Sequence, residues 1–534
     1  MAADDSETPL IISSIDENYP YEYDYDDDHI NNYDNNQNHT HKNNVDDRIE
    51  ECIGDFGWRQ LIQSVLVSVA WTFDAQQTFI SIFTDAEPTW HCITSDCGSD
   101  VCSLPRNATW AWDYPKETTI ISEWGLQCAT SFLTGLPASS FFMGCLIGGM
   151  VLATLADSWL GRKNLLLLSC LSMSLSGVFT AMFSRNILVY SFLRFVCGFG
   201  RAAIGTCSLV LATEVVGKQW RGKVGVIGFV CFSLGFLSLP GIAYINRGNS
   251  WRAMYMWTSI PALVYTILVF FFVKESPRWL LIRGRKEEAV NALRTIATAH
   301  RSSLTLSFFG EEDAPAGDDA DVYSAMRVLI AKSWAVRRLI AVMVICSGIG
   351  VVYYGMPLAL GNLPFNIYLS VMLNALSELP ASLITFMLID KLNRRSSMIV
   401  FTLISGVLSI MVVIIGDLLF DNGKMMGLQI GLEILSFLTA CTALNIMLIF
   451  TIELFPTCVR NSAVSLARQA LVFGGVFSPP LVAAGRKSPF MTYGVFGIVI
   501  GICGLFAGCL PETKGTMLSD TMEEEEEKES CLLA

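Results

Sequence analysis

Charge is scarce in this chain. Asp, Glu, Lys and Arg make up 16% of its 534 residues, where soluble domains carry about 25%. Histidine is scarcer still. All five, at positions 29, 39, 41, 91 and 300, lie outside the long apolar runs, so a histidine proton relay through a membrane is excluded. The phosphate-loop signature is missing too. Gly200-Arg-Ala-Ala-Ile-Gly205 is followed by Thr206-Cys207 rather than Lys-Ser/Thr, and Gly217-Lys218 lacks the hydroxyl residue that should follow. Both departures argue against ATP-driven work. No metal-ligand spacing and no nucleophile triad is present, so neither a cofactor nor an enzymatic reaction is expected. The positive segment and short apolar core of a signal peptide are also lacking at the start.

What the chain has is apolar length. Twelve runs are each long enough to cross a hydrocarbon core of about 30 Å: 59–82, 135–156, 164–184, 187–214, 224–245, 252–273, 338–356, 366–389, 397–416, 427–452, 462–484 and 489–510. A cytosolic enzyme, a disulfide mini-protein, a fibrous protein and a nucleic-acid binder are thereby excluded. Lipid offers no hydrogen bonds, so each run must satisfy its own backbone as a helix. The expected fold class is an all-α polytopic membrane protein, with a lipid bilayer as its surroundings.

Positive charge orients it. Loops on the side of the termini hold twenty Lys and Arg, and the opposite loops hold eight. The positive side faces the cytosol, so both termini are expected there. The formal net charge of −13 does not conflict, because residues 1–51 hold fifteen acids against Lys42 and Arg48. Residues 1–55 read as a disordered acidic tail, and the acidic run Glu523–Glu527 within 512–534 reads the same way. The first opposite loop, 83–134, carries Cys92, Cys97, Cys102 and Cys128. Four cysteines in an oxidising compartment suggest two disulfides, with three pairings open. Asn107-Ala-Thr in the same loop is a glycosylation acceptor. Residues 274–337 read as a charged cytosolic linker between one bundle, 56–273, and a second, 338–511.

The two bundles repeat one another. Asp157-Ser-Trp-Leu-Gly161-Arg162-Lys163 is matched by Asp390-Lys-Leu-Asn-Arg394-Arg395. Glu214, seven residues before Arg221, is matched by Glu453, seven before Arg460. Glu275-Ser-Pro-Arg is matched by Pro511-Glu512-Thr-Lys. The displacements are 233, 239 and 237 residues, which argues for two six-helix halves of the kind transporters use. Asp157, Arg162, Glu214, Arg221, Asp390, Arg394, Glu453 and Arg460 are therefore candidates for a charged latch. Exposed pairs contribute about 0–1 kcal/mol each, but a partly dehydrated network can bias two conformations.

These residues resemble the major facilitator superfamily over 55–515. Asp157…Gly161-Arg-Lys, Arg194-x-x-x-Gly198 and Pro511-Glu-Thr-Lys-Gly515 look like its sugar-transporter signatures. Glu275-Ser-Pro-Arg-Trp-Leu280, Tyr353-Tyr354-Gly355, Glu378-Leu-Pro-Ala381 and Glu453-Leu-Phe-Pro-Thr457 look like its organic cation/carnitine transporter family. The acidic tail and Trp71-Thr-Phe-Asp74 look like plant members. The resemblance implies twelve helices and alternating access. It also implies a charge-selecting residue twelve positions after Arg460, where this chain has Val472. The charge lies instead at Arg468, one helical turn earlier. Asn393 stands where the family usually has glycine.

Ionisable groups inside spans cost about 2.5–3.5 kcal/mol each on insertion scales and usually face the bundle interior. Three acids (Asp74, Glu378, Glu433) and three arginines (Arg194, Arg201, Arg468) qualify, a balance that suits a zwitterion. Asp74, Arg201, Glu378 and Arg468 are taken as substrate-binding candidates, with Tyr353 and Tyr354 as cation–π partners worth about 0.5–2 kcal/mol. Trp71 and Phe73 are candidates to complete the cage, with ordinary packing or an interfacial aromatic belt as the leading alternative. A carboxylate such as Asp74 or Glu378 would carry a coupling proton, and Na+ is the other coupling candidate. The expected partner is a small organic cation or carnitine-like zwitterion, in the plasma or vacuolar membrane. Two rivals are the same fold carrying sugars or organic anions, and a membrane sensor or receptor.

Overall fold

The computed structural model describes residues 56–93, 101–104, 109–156, 160–296, 322–388, 391–418, 424–486, 488–515 and 519–533. Asp157, Asp390, Cys97, Asn107 and the tail 1–55 lie outside the described residues.

The apolar runs form twelve helical stretches. The first, α1, is three consecutive segments, Trp58–Ser68, Ala70–Phe79 and Ser81–Thr84. Then come α2 (Ser131–Ala156), α3 (Arg162–Phe183) and α4, whose segments Ile187–Arg201 and Ile204–Glu214 adjoin at Ala202 and Ala203. Next are α5 (Lys218–Ile245) and α6 (Trp251–Phe272). The second set is α7 (Ser333–Ala359), α8 (Ile367–Leu388), α9 (Arg394–Leu418), α10 (Lys424–Leu454), α11 (Thr457–Gly485) and α12 (Tyr493–Leu505). Ten of them are long and apolar enough to cross a membrane among the described residues. The broken α1 and the shorter α12 are the exceptions.

Burial is arranged for lipid. On α6, Phe270, Phe271 and Phe272 are exposed while Thr258 and Ser259 are fully buried. Apolar side chains face outward and small polar ones line the helix contacts, as expected where lipid offers no hydrophobic drive for helices to associate.

The packing repeats between the halves. Helix α2 packs on α4, α1 on α5, and α3 on α4 and α6; α8 packs on α10, α7 on α11, and α9 on α10 and α12. The halves meet through α2 on α11 and α5 on α8. These two contacts are equivalents when one half is exchanged for the other, which is what a pseudo-twofold arrangement requires. At the α2–α11 contact there is no room for a side chain at Gly135, where a Cβ would lie 2.7 Å from the Pro480 nitrogen.

The repeat extends to helix caps. Glu275 follows α6 and accepts the Lys163 amide at 3.1 and 3.0 Å, capping α3. Gly161 makes room for that carboxylate with φ of +79°. Glu512 follows α12 and accepts the amides of Arg394 and Arg395 at 2.7 and 3.1 Å, capping α9. A carboxylate at a helix N-terminus satisfies orphan amides and complements the dipole. Burial pushes the Glu275 carboxyl up from its ordinary value, against the pull of the amides it accepts.

One expectation is corrected, at the C-terminal tail. In the loop after α1, strands β1 (Trp90–Cys92) and β2 (Trp110–Trp112) pair antiparallel. Cys102 and Cys128 form a disulfide, and Cys92 is disulfide-bonded as well. The acidic C-terminal run is helical, Met522–Leu533, rather than disordered. Its charges have partners that sequence spacing does not reveal. Glu525 and Glu526 accept from Arg338 and Lys332 at 2.7 Å each, and Met522 is buried.

Candidate functional site

The helices α1, α2, α4, α5, α7, α10 and α11 enclose a cavity of about 200 Å³ between the halves. The N-terminal half contributes Trp71, Asp74, Cys145, Arg201, Phe229 and Phe232. The C-terminal half contributes Tyr353, Tyr354, Leu444, Arg468, Gln469 and Val472. Five of the six substrate-binding candidates therefore line one space. The sixth, Glu378, lies directly behind it.

Local backbone explains part of this. Helix α4 is interrupted just after Arg201, so Ala202 and Ala203 also reach the lining. Pro380 removes an amide from α8 two residues after Glu378. Such breaks at mid-depth are where carriers place substrate sites.

Asp74 and Arg201 neutralise each other. The Arg201 guanidinium makes an ion pair with Asp74, one Nη2 donating to Oδ2 at 2.9 Å. Tyr353 donates its hydroxyl to Glu378 Oε1 at 3.0 Å, and Ser233 of α5 donates to Oε2 at 2.9 Å. Glu378 is thus held by one residue from each half. Arg468 has no carboxylate within ion-pair distance among the described residues. The lining therefore carries a net positive charge at Arg468, with a carboxylate reached through the Tyr353 ring.

The aromatic wall is broader than expected on one side and narrower on the other. Trp71 packs on Phe229 and Phe232, ring centres 5.6 and 6.0 Å apart. Tyr353 and Tyr354 lie 5.1 Å apart. Phe73 is not part of the cage: it turns to Tyr265 of α6, 5.3 Å away, and is absent from the lining. Two residues past Trp71 on a helix is about 200° around the axis, so the two rings cannot share a face. Phe229, Phe232, Ser233 and Gln469 were missed, because uncharged residues in apolar runs carry no sign of facing a cavity. The spacing of Phe229, Phe232 and Ser233 at one helical turn was the available signal.

Arg194 and Glu433 stay outside the lining. Both are fully buried. Arg194 donates to the Gln77 carbonyl at 3.0 Å and lies 4.3 Å from the Phe141 ring centre. Glu433 accepts from Asn374 at 3.0 Å.

One pair of latch candidates forms, within the C-terminal half. Arg394 and Glu453 form an ion pair at 3.2 Å, and Thr513 donates to Glu453 at 2.5 Å. Glu214 Oε2, Arg221 Nε and Arg460 Nη2 are buried with no hydrogen-bond partner among the described residues. Arg460 Nε donates to the Phe455 carbonyl at 3.2 Å. Cross-half polar contacts are instead found on the opposite face. Arg486 of the C-terminal half donates to the Asp85 carbonyl at 2.9 Å and lies 3.9 Å from Glu87. Phe83 stacks on Tyr368 at 5.8 Å, and Ser139 donates to the Val476 carbonyl at 2.8 Å. This is the face that carries β1 and β2.

Residues 94–524 match the family described as "Sugar (and other) transporter". The chain is 60% identical over 496 residues to organic cation/carnitine transporter 3 of Arabidopsis thaliana, covering 91% of this chain and 94% of that protein. The chain belongs to the organic cation/carnitine transporter family. It is 57% identical to organic cation/carnitine transporter 2 of the same plant, with 91% and 94% covered. It is 30% identical to solute carrier family 22 member 3 of Mus musculus, with 79% and 74% covered. Among solved structures, the inward open xylose transporter XylE of E. coli superposes with a TM-score of 0.61 at 19% identity, covering 88% of this chain and 98% of that one. That likeness establishes the major facilitator fold, twelve helices in two halves. Arg468 and Val472 share the α11 wall of the cavity.

Proposed function

We propose that this chain is a secondary transporter that moves carnitine-like zwitterions and organic cations by alternating access around the cavity between its halves. The observation that carries the proposal is the division of charge on that cavity. With Asp74 and Arg201 spent on each other, Arg468 is left to take a substrate carboxylate. The rings of Trp71, Tyr353 and Tyr354 take the quaternary ammonium by cation–π attraction, with Glu378 behind Tyr353 adding negative potential. Asp74 and Arg201 then serve as a neutral wall rather than as direct ligands. The names of the similar proteins support the substrate class.

The latch residues act on the face of the termini. Glu214, Arg221 and Arg460 exchange partners between states, while Arg394 and Glu453 hold the C-terminal half together. Both termini lie in the cytosol, in keeping with the Lys and Arg bias of the loops, and the host membrane is the plasma or vacuolar membrane. Uptake is coupled to a proton or Na+.

Arg468, with no carboxylate in ion-pair distance among the described residues, also favours a second reading, transport of organic anions. Uptake into liposomes bearing the purified chain separates the two. Labelled carnitine and tetraethylammonium should enter well above protein-free liposomes, and glucose and benzoate should not. Benzoate uptake without carnitine uptake would overturn the proposal.

A further inference from the structure

The halves carry opposite charges at one equivalent position. Arg194 of α4 lies 20 residues before Glu214, and Glu433 of α10 lies 20 residues before Glu453, so the repeat places one over the other. The surroundings of Arg194 suit a built-in cation: the Gln77 carbonyl and the faces of Phe141 and Tyr255, the latter with its centre 6.0 Å away. The surroundings of Glu433 suit a cation that is not built in. Asn374 of α8 donates to Oε1 at 3.0 Å. Glu433 Oε2 has no hydrogen-bond partner among the described residues, and neither do Asn374 Oδ1, Ser370 Oγ or the Tyr493 hydroxyl of α12. All four residues are at most 1% exposed. Tyr493 lies within electrostatic reach of Glu433, and no Lys or Arg pairs with this carboxylate among the described residues.

A buried polar group without a partner requires an explanation, and an intramembrane carboxylate is by default a functional one. Carboxylate, amide, phenol and hydroxyl oxygens are hard donors, which suit a proton or an alkali cation rather than an anion or a soft metal. The titratable groups within electrostatic reach of Glu433 are Cys441 on α10 and Tyr493 on α12; from α9, Ser405 donates to the Ser436 carbonyl and Ser409 to the Tyr493 carbonyl. Ser370, Asn374 and Glu378 are spaced at four residues, so they share one face of α8. Asn374, which donates to Glu433, thus shares its helix face with the carboxylate that accepts from Tyr353 in the cavity wall.

We infer that Glu433, with Asn374, Ser370 and Tyr493, forms the site of the coupling cation, a proton or a sodium ion. The inference rests on the transport reading proposed above and locates its driving site outside the substrate cavity.

The test uses the full chain in liposomes with the membrane potential clamped. Uptake of labelled carnitine is driven by an imposed pH gradient, by an imposed Na+ gradient, or by counterflow against unlabelled carnitine. In the wild type one of the two gradients raises uptake by about fivefold or more, and which one does so identifies the cation. Glu433→Gln abolishes that stimulation while counterflow stays within about twofold of wild type. Tyr493→Phe keeps the charge and removes one oxygen. It raises the proton or Na+ concentration for half-maximal stimulation by about threefold or more, and it provides the test if Glu433→Gln fails to fold. Retained stimulation in Glu433→Gln, unchanged half-maximal stimulation in Tyr493→Phe, or a wild type that shows counterflow but whose uptake is indifferent to both gradients overturns the inference. Absence of wild-type counterflow overturns instead the transport reading beneath it.

Discussion

Tyr353 and Glu378 form one unit, the phenol of α7 donating at 3.0 Å to the carboxylate of α8. Because Ser233 of α5 holds the other oxygen at 2.9 Å, the unit also spans the junction between the halves. Removing its charge while keeping its shape should weaken attraction for ammonium and leave packing intact. Glu378→Gln is expected to lower tetraethylammonium uptake by about tenfold, the equivalent of about 1.4 kcal/mol. The amount of protein reaching the membrane, read by surface immunoblot, should be unchanged. Wild-type kinetics would remove Glu378 from the site.

Arg468 distinguishes substrates by their carboxylate. Arg468→Ala is expected to lower carnitine uptake by about tenfold or more, since a charged hydrogen bond contributes about 1.5–3 kcal/mol. Tetraethylammonium, which has no carboxylate, should be carried at least as well as by wild type. Initial rates for the two substrates in one preparation check this, and equal losses for both would contradict it.

The paired caps should be equivalent in energy. Glu275→Gln and Glu512→Gln each weaken bonds to the first amides of a helix, a loss of about 0.5–2 kcal/mol by analogy with other N-caps. Both should lower the thermal midpoint in detergent by a similar amount. Glu275 adds a pH signature. Its folded pKa is raised from 4.5 by burial, so its stabilising contribution is fullest at low pH and is lost as pH rises through the raised value. The midpoint difference between wild type and Glu275→Gln should therefore shrink as pH rises above 4.5. A difference that widens would contradict the assignment.

The C-terminal helix should depend on its ion pairs. Glu525 meets Arg338, which is 4% exposed on its side chain, so this contact is less screened than a surface pair. Glu525→Ala together with Glu526→Ala is expected to release Met522–Leu533, seen as faster amide exchange across that segment. Unchanged exchange would mean that Met522 packing alone holds it.

The disulfide Cys102–Cys128 closes a loop of 26 residues, for which chain entropy predicts a contribution of about 3 kcal/mol. Cys128→Ser should lower the thermal midpoint, and a reducing agent, which also opens the Cys92 disulfide, should lower the wild type at least as far. A midpoint insensitive to both would show that the loop gains nothing from the bond.

The helices were legible because hydrocarbon leaves the backbone no alternative, and the repeat was legible because charged landmarks survive at the helix ends. The cavity was legible only where it is ionised or carries the Tyr353–Tyr354 pair. Asp74, Arg201 and Arg468 announce themselves by their cost in apolar runs, but their pairing does not. Asp74 and Arg201 lie 127 residues apart, so only the packing of α1 on α4 reveals that they cancel. Phe229 and Phe232 differ from lipid-facing phenylalanines in the sequence only by their one-turn spacing with Ser233. The C-terminal helix was misread for a related reason: Glu523–Glu527 looks like solvated charge until Lys332 and Arg338 are brought beneath it from 194 and 187 residues away.

The central claim is that one cavity between the halves binds a zwitterion at both ends and carries it across. Counterflow tests it most directly. Liposomes bearing the chain and preloaded with unlabelled carnitine should transiently accumulate labelled carnitine above its external concentration, and the doubly substituted Arg468→Ala, Glu378→Gln chain should not. A wild type without accumulation, or a double variant that matches it, would contradict the account.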